Sequence, residues 1–490
     1  MAGAAPASSA DSQKRLRTNE AGEAADAAEA QCRNEYAGYK VPGDNFSIER
    51  VAIDAVTPES FFAKYVSTRT PVVLTGFLPD ASFQAPAKWI ETDERLIELA
   101  GDTKLTVERR GDIHEKFGRG IAVEMPFREL LALIAAGDEM HYLTTQEVAA
   151  EEDGRPEIMA PFMKQLQRDF PLRPELMGHL IPQNINMWMG NNKHGSSTGL
   201  HHDHHDNLYV LLRGKKRFRL YSPADADKMY VRGRMVHVHA NGLINYVDQK
   251  TTAYGADPAA EREALAAIER TAAERELALA EEAVEAGEPG AAARVEAAEN
   301  RLDRAMVGVL RAEGSEDEDE DEGSEDGAFH FEESEAEGDD DESELEELDD
   351  LALDPEEEAE AEQAAKRNVD QTEIKLPVSF STVDTFRLRD GEQAQRELNE
   401  EFPKFSQAKV AFCDLEVGDM LFLPASWFHE VESFGSAKGN GHLALNYWYH
   451  PPDQLSPENF RSPYSSPFWP RDWEQRFASN GESSGVADRN

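Results

Sequence analysis

Short apolar, β-branched segments stand on both sides of a stretch that no sheet could hold, and this arrangement restricts the fold more than any other feature of the chain. Residues 251–286 and 291–311 are dominated by Ala, Glu, Arg and Leu, a helix-forming composition. Residues 313–362 carry 29 acidic residues and no Lys or Arg, so self-repulsion predicts disorder there. Strand patterns precede this stretch at 184–222 and resume at 377–383, 411–412, 420–423 and 443–449. Strands divided in this way imply one sheet-rich domain interrupted by an insert at 251–374.

Local signals refine the picture. Residues 1–44 lack apolar periodicity and read as a disordered tail. The interrupted domain then covers 45–250 and 375–455. The insert divides into a helical part at 251–312 and an acidic, disordered part at 313–374, and residues 456–490 form a C-terminal tail. Within the domain, Thr57 is placed to cap a helix that begins at Pro58. Strands are expected at 71–76 and 140–145, with a helix at 127–136 between them. Residues 208–212 and 217–221 flank Arg213-Gly214-Lys215-Lys216, which reads as a hairpin turn. In the insert, Asp257 and Pro258 start a helix that Gly287-Glu288-Pro289-Gly290 breaks. A second helix carries the stripe Val295, Ala298, Leu302, Met306 and Val309.

Charge says little about the domain, because residues 313–362 alone supply more than half of the net charge of −46. The insert could engage a basic partner, and solvation is its simpler role. Cys32 and Cys413 are the two cysteines and form no C-x-x-C pair, which suits a reducing compartment. With no apolar run of membrane-spanning length and no secretory h-region, the expected location is intracellular, in the nucleus, the cytoplasm or both. Lys14-Arg15-Leu16-Arg17 reads as part of a solvated tail, and no basic stripe gives a strong nucleic-acid signal.

The chemistry concentrates in the run Ser196–Ser197-Thr198-Gly199-Leu200-His201-His202-Asp203-His204-His205-Asp206. Side chains two apart on a strand share a face, so His201 and Asp203 can point together while His202 points away. His429, after the apolar strand 420–423 and the turn Pro424-Ala425-Ser426, can supply a third ligand. Two imidazoles and one carboxylate suit a non-haem Fe(II) that keeps positions open for substrate and oxygen. His204-x-Asp206 has the same spacing and His237-x-His239 offers another pair, so spacing alone does not choose among them. An oxygenase of this kind needs a co-substrate such as 2-oxoglutarate, whose distal carboxylate requires a cation. Lys216 is the candidate, with Thr198 and Tyr142 as hydroxyl donors. Asn207 and Asn446 can orient ligands or co-substrate.

These residues resemble the JmjC-domain family of the cupin superfamily, and within it the small hydroxylase-type members. The resemblance rests on Asn186-Met187-Trp188-Met189-Gly190, Thr198, His201-x-Asp203, Asn207-Leu208 and Gly214-Lys215-Lys216-Arg217. It continues at Gly418-Asp419, Leu423-Pro424, Trp427, His429-Glu430-Val431-Glu432-Ser433 and Asn446-Tyr447-Trp448-Tyr449. It fixes the register, because Thr198 and Lys216 match the family only when His201 is the first ligand. The resemblance implies a mainly β fold with flanking helices (α+β), a double-stranded β-helix or jelly roll. It implies Fe(II) on His201, Asp203 and His429, and 2-oxoglutarate on Lys216, Thr198, Tyr142, Asn207 and Asn446, with O2 as second co-substrate. The implied reaction is hydroxylation of a protein side chain with release of succinate and CO2. The alternatives are N-methyl-lysine demethylation of a histone or other protein, and a catalytically silent metal-binding scaffold whose acidic insert binds basic partners. The segment after Pro451 lacks the long paired helices by which some relatives dimerise, so a monomer is expected.

Overall fold

At Gly214 the chain leaves one sheet and enters another, and a side chain there would prevent the passage. The computed structural model describes residues 32–43, 46–112, 118, 120–150, 155–313 and 376–478. Gly214 has φ +75°, and a Cβ would stand 2.3 Å from the carbonyl oxygen of Phe434. The strands in chain order are β1 (Arg33–Asn34), β2 (Phe46–Ser47), β3 (Arg50–Ala52), β4 (Val72–Thr75), β5 (Lys104–Arg109), β6 (Ile121–Pro126), β7 (His141–Leu143), β8 (Pro182–Gly190) and β9 (Ser196–Ser197). They continue with β10 (Asp206–Arg213), β11 (Lys215–Tyr221), β12 (Met235–Val238), β13 (Ile244–Tyr246), β14 (Val410–Leu415), β15 (Asp419–Leu423), β16 (Phe428–Phe434) and β17 (His442–Tyr449). Nine strands form one sheet in the order β3-β4-β15-β10-β17-β8-β7-β5-β6, and five form a second in the order β2-β14-β11-β16-β9. Strands from both sides of the insert interleave in both sheets, as the split strand pattern requires.

The two sheets pack face to face, in the jelly-roll manner expected from the sequence. Alternation along β10 sends Tyr209 and Leu211 inward, where they meet Phe218, Leu220, Val431, Leu421, Leu423 and Ala444. The other face of the nine-stranded sheet carries Leu208, Val210, Met420, Phe422 and Leu445 into a larger cluster. Helices close this outer layer. Phe127, Leu130, Leu131 and Ile134 of the helix Phe127–Ala135 are all buried, one stripe at helical spacing. Thr57 and Ser60 form a reciprocal capping box at the start of the helix Pro58–Phe61.

Several expectations change. Residues 208–221 are not a hairpin: β10 pairs with β15 and β17, while β11 pairs with β14 and β16 in the other sheet. Local turn chemistry cannot distinguish a two-strand hairpin from a crossing between sheets, because the partner strands start only at Val410, far along the chain. Residues 377–383 make only isolated bridges at Phe380 and Ser381. Regular structure starts before residue 45, since β1 pairs with β12 and Tyr36 is buried. The 456–490 segment contains the helix Phe468–Ala478. The acidic stretch at 314–375, with residues 1–31 and 479–490, lies outside the described residues. The helices Pro258–Glu285 and Ala291–Glu313 pair through Arg301, which bridges Glu269 and Glu276, and Ala273, Ala280, Ala298 and Ala305 are buried in them. Among the described residues, no helix is long and apolar enough to cross a membrane.

Candidate metal and co-substrate site

His201 and His429 meet as a two-hydrogen-bond backbone pair, with His201 N donating to His429 O at 3.0 Å and His429 N to His201 O at 2.7 Å. This pair joins the segment just before β10 to β16 in the opposite sheet. The His-x-Asp pair is therefore not on a regular strand. His201 is an isolated bridge residue, and Asp203 lies in the turn before β10, held by Ser426 N donating to its carbonyl at 2.7 Å. Even so, ligand atoms of His201, Asp203 and His429 all lie within 4.8 Å of one another, and among the described residues no other such group of His, Cys, Asp and Glu occurs.

The two imidazoles are set in matching states. Nδ1 of His201 lies 2.9 Å from Gly199 O, and Nδ1 of His429 lies 2.9 Å from Trp427 O. A carbonyl oxygen only accepts, so each Nδ1 carries a proton, which leaves Nε2 as the nitrogen available to a metal. His429 Nε2 stands 3.7 Å from Asp203 Oδ2. Burial, then the neighbouring His429, pushes His201 down to about 4, which keeps it neutral. Its ring stacks on Phe380 at 4.7 Å. Two imidazole nitrogens and a carboxylate converge, a donor set that fits a divalent metal such as Fe(II).

The competing pairs are occupied elsewhere. Asp206 accepts from Arg69 and from Ala425 N and is fully buried. His202 points away, with Nε2 2.6 Å from the Tyr246 hydroxyl. His237, on β12 of the three-stranded sheet β1-β12-β13, pairs with Glu35, and its ring lies 4.1 Å from that of His239, just past the strand.

Lys216 lies on the inward face of β11, only 2 % exposed. Its Nζ donates to Ser433 Oγ at 2.6 Å and stands 5.9 Å from the centre of the Tyr142 ring. It has no ion pair among the described residues, and burial alone pushes its pKa down to about 7. The pairing Lys216↔Ser433↔Ser196 sets these three in a row across β11, β16 and β9. Ser196 Oγ is buried without a partner. An enclosed ammonium beside an unsatisfied hydroxyl fits a carboxylate ligand. The sequence reading quoted Ser433 and Ser196 in its motifs but gave neither a role, although the inward alternation of His429, Val431 and Ser433 points to the first of them. Tyr142 is buried, and its hydroxyl interacts with the Ser433 side chain. Thr198 accepts from Val431 N and donates to Gly199 O, both at 3.1 Å, and so ties the His201 loop to β16.

Asn207 and Asn446 are neighbours on the inward faces of β10 and β17, with Asn446 Nδ2 3.4 Å from Asn207 Oδ1. Trp188 Nε1 donates to Asn446 Oδ1 at 2.7 Å. The sequence reading missed what lies beside them on β8. Asn184 pairs with Trp448 and Asn186 with Asn446. Asn184 Oδ1, Asn186 Nδ2 and Trp448 Nε1 are buried without partners. The period-two run Asn184-x-Asn186-x-Trp188 carried this signal.

Comparison with known proteins agrees with this geometry. The cupin-like domain family matches residues 58–455. JmjC domain-containing protein 4 of Schizosaccharomyces pombe is 32 % identical over 452 residues, which cover 88 % of this chain and 89 % of that protein. Two shorter matches are to the human bifunctional peptidase and (3S)-lysyl hydroxylase JMJD7, 42 % identical over 48 residues (10 % of this chain, 14 % of that protein), and to the Arabidopsis thaliana lysine-specific demethylase JMJ32, 38 % identical over 50 residues (10 % and 14 %). From the jelly-roll sheets, the two-histidine, one-carboxylate cluster and these matches, the chain belongs to the cupin-like, JmjC-domain family.

Proposed function

We propose that the chain is an Fe(II)- and 2-oxoglutarate-dependent dioxygenase that hydroxylates a side chain of a polypeptide. The observation that carries the reading is the convergence of His201, Asp203 and His429 in the same inter-sheet space as the buried Lys216, which has no ion pair among the described residues. His201, Asp203 and His429 would hold the metal, and Lys216, Ser433 and Tyr142 the distal carboxylate of the co-substrate. When bound, the metal and 2-oxoglutarate supply the oxidising chemistry, with O2 consumed and succinate and CO2 released. The protein's own residues do the rest. Gly199 O and Trp427 O keep both imidazoles in the ligating tautomer, and the apolar inner cluster excludes water from the floor. Asn184, Asn186 and Trp448 offer unsatisfied polar atoms to a substrate group.

Hydroxylation is preferred because the human relative is a lysyl hydroxylase. Demethylation is the second reading. It is favoured by the name of the Arabidopsis relative and by the Trp188–Trp448 pair, whose rings stand 6.2 Å apart at 77° and could face a methylammonium. Mass spectrometry of a modified peptide separates the two. A retained alcohol adds one oxygen, whereas demethylation removes a methyl group and releases formaldehyde. No succinate release, with neither product across a proteome-wide substrate screen, would favour the scaffold reading.

Lys216 makes co-substrate binding pH-dependent. Its folded pKa, about 7, lies below its ordinary 10.5. The unfolded chain thus binds more protons between these values, and the stability of the ligand-free protein rises with pH across that window. A bound carboxylate reverses the shift, so at pH 8 to 9 binding takes up as much as about one proton. Calorimetry of 2-oxoglutarate binding in two buffers of different ionisation enthalpy reads this directly. Uptake is expected in the wild type and lost in Lys216→Met, and equal heats in both buffers for the wild type would contradict it.

A further inference from the structure

A second concave site opens where the segment around Arg173 meets the C-terminal segment 461–474. This cleft of about 580 Å³ is lined by Arg173, His179, Arg461, Tyr464, Ser465 and Trp473, with others. None of its lining residues belongs to the inward face that carries His201, Asp203 and His429. Its floor is fixed, because the Tyr464 hydroxyl accepts from Ile181 N at 3.0 Å and donates to His450 O at 2.9 Å.

The basic groups of the cleft are short of partners. Arg173 is half-buried, has no ion pair among the described residues, and encloses its Nε without a hydrogen-bond partner. Arg461 likewise has no ion pair among the described residues. His179 lies within the fields of both guanidiniums, which add to burial in holding its pKa down. Glu474 is the single acidic residue in the lining. A chain of net charge −46 repels anions at long range, so a cleft with a local excess of positive charge marks a preference against that background.

We propose that this cleft binds a phosphate-bearing ligand, with Arg173 and Arg461 as its charge partners. Two guanidiniums, an imidazole and the hydroxyls of Ser462, Ser465 and Ser466 offer more donors than the two oxygens of a carboxylate can accept. A phosphate monoester presents three oxygens and nearly two charges to the same donors.

The test is calorimetric titration of the full-length protein with inorganic phosphate and with O-phosphoserine, at constant ionic strength, with acetate as control. Saturable binding is expected for at least one phosphate probe, with acetate at least about tenfold weaker. Loss of one charged hydrogen bond in Arg461→Gln or Arg173→Gln should weaken it by about tenfold or more. Arg461 is exposed, so its variant keeps the test valid if Arg173→Gln fails to fold. The tighter of the two probes assigns the source, free phosphate or ester. Absence of a saturable isotherm, or one unchanged in both variants, overturns the proposal.

Discussion

Asp203→Ala lowers 2-oxoglutarate turnover by at least about 1,000-fold, on the order of 4 kcal/mol of barrier, while the protein stays folded. The two halves of this expectation have separate physical grounds. The Asp203 carboxylate is the one anionic donor in the cluster, and without it two neutral imidazoles must hold a divalent cation alone. Its structural contact is made by the backbone, since Ser426 N donates to its carbonyl oxygen, and alanine keeps that bond. Succinate release measured beside a thermal melt checks both halves. Turnover close to wild type would remove Asp203 from the site, and a collapsed melt would make its role structural.

Asp206→Ala, three residues on, should behave in the opposite way and lower stability by about 3–5 kcal/mol. Arg69 and Asp206 form a bidentate pair, both fully buried, with Nη1 to Oδ2 at 2.8 Å and a second bond from Nη2 to Oδ1. Arg69 Nε donates to Asn241 O at 2.9 Å, and Asp206 Oδ1 also accepts from Ala425 N at 2.8 Å. The pair thus ties the segment before β4 to the start of β10 and to the turn that precedes β16. Removing the carboxylate leaves a guanidinium enclosed without its counter-charge and frees a backbone N–H. The urea midpoint of unfolding reads the loss. A variant as stable as wild type would show that water reaches Arg69. Together the two substitutions test the two His-x-Asp spacings of the run: loss of activity is expected from the first carboxylate and loss of stability from the second.

That contrast also shows what the sequence could and could not convey. Alternation made the strands legible, and the division of those strands by a helical and acidic stretch gave the interrupted sheet. Thr57-Pro58 announced a capped helix because the determinants of a cap lie within four residues. The passage from β10 to β11 was misread because a glycine at positive φ serves a tight hairpin and a crossing between sheets equally well, and the partners β14 to β17 are distant in sequence. Tyr36 and β1 were missed for a related reason. Two residues of strand carry no period, and what orders them is pairing with Val238 and Ala240. At the site, spacing nominated His201-x-Asp203 and His204-x-Asp206 alike. Burial of Asp206 against Arg69 separates them, and Arg69 gives no local sign of that role. The polar row of Ser196, Ser433 and Lys216 depends on the register between three strands, which no single segment encodes.

The central claim is that His201, Asp203 and His429 hold Fe(II) in reach of a 2-oxoglutarate anchored by Lys216. Anaerobic titration of the purified protein with Fe(II) and 2-oxoglutarate, followed by visible absorption, tests it most directly. A metal-to-ligand charge-transfer band is expected in the wild type, absent in His429→Ala and requiring more 2-oxoglutarate in Lys216→Ala. A folded wild-type protein that develops no band, or a band that survives His429→Ala unchanged, would contradict the account.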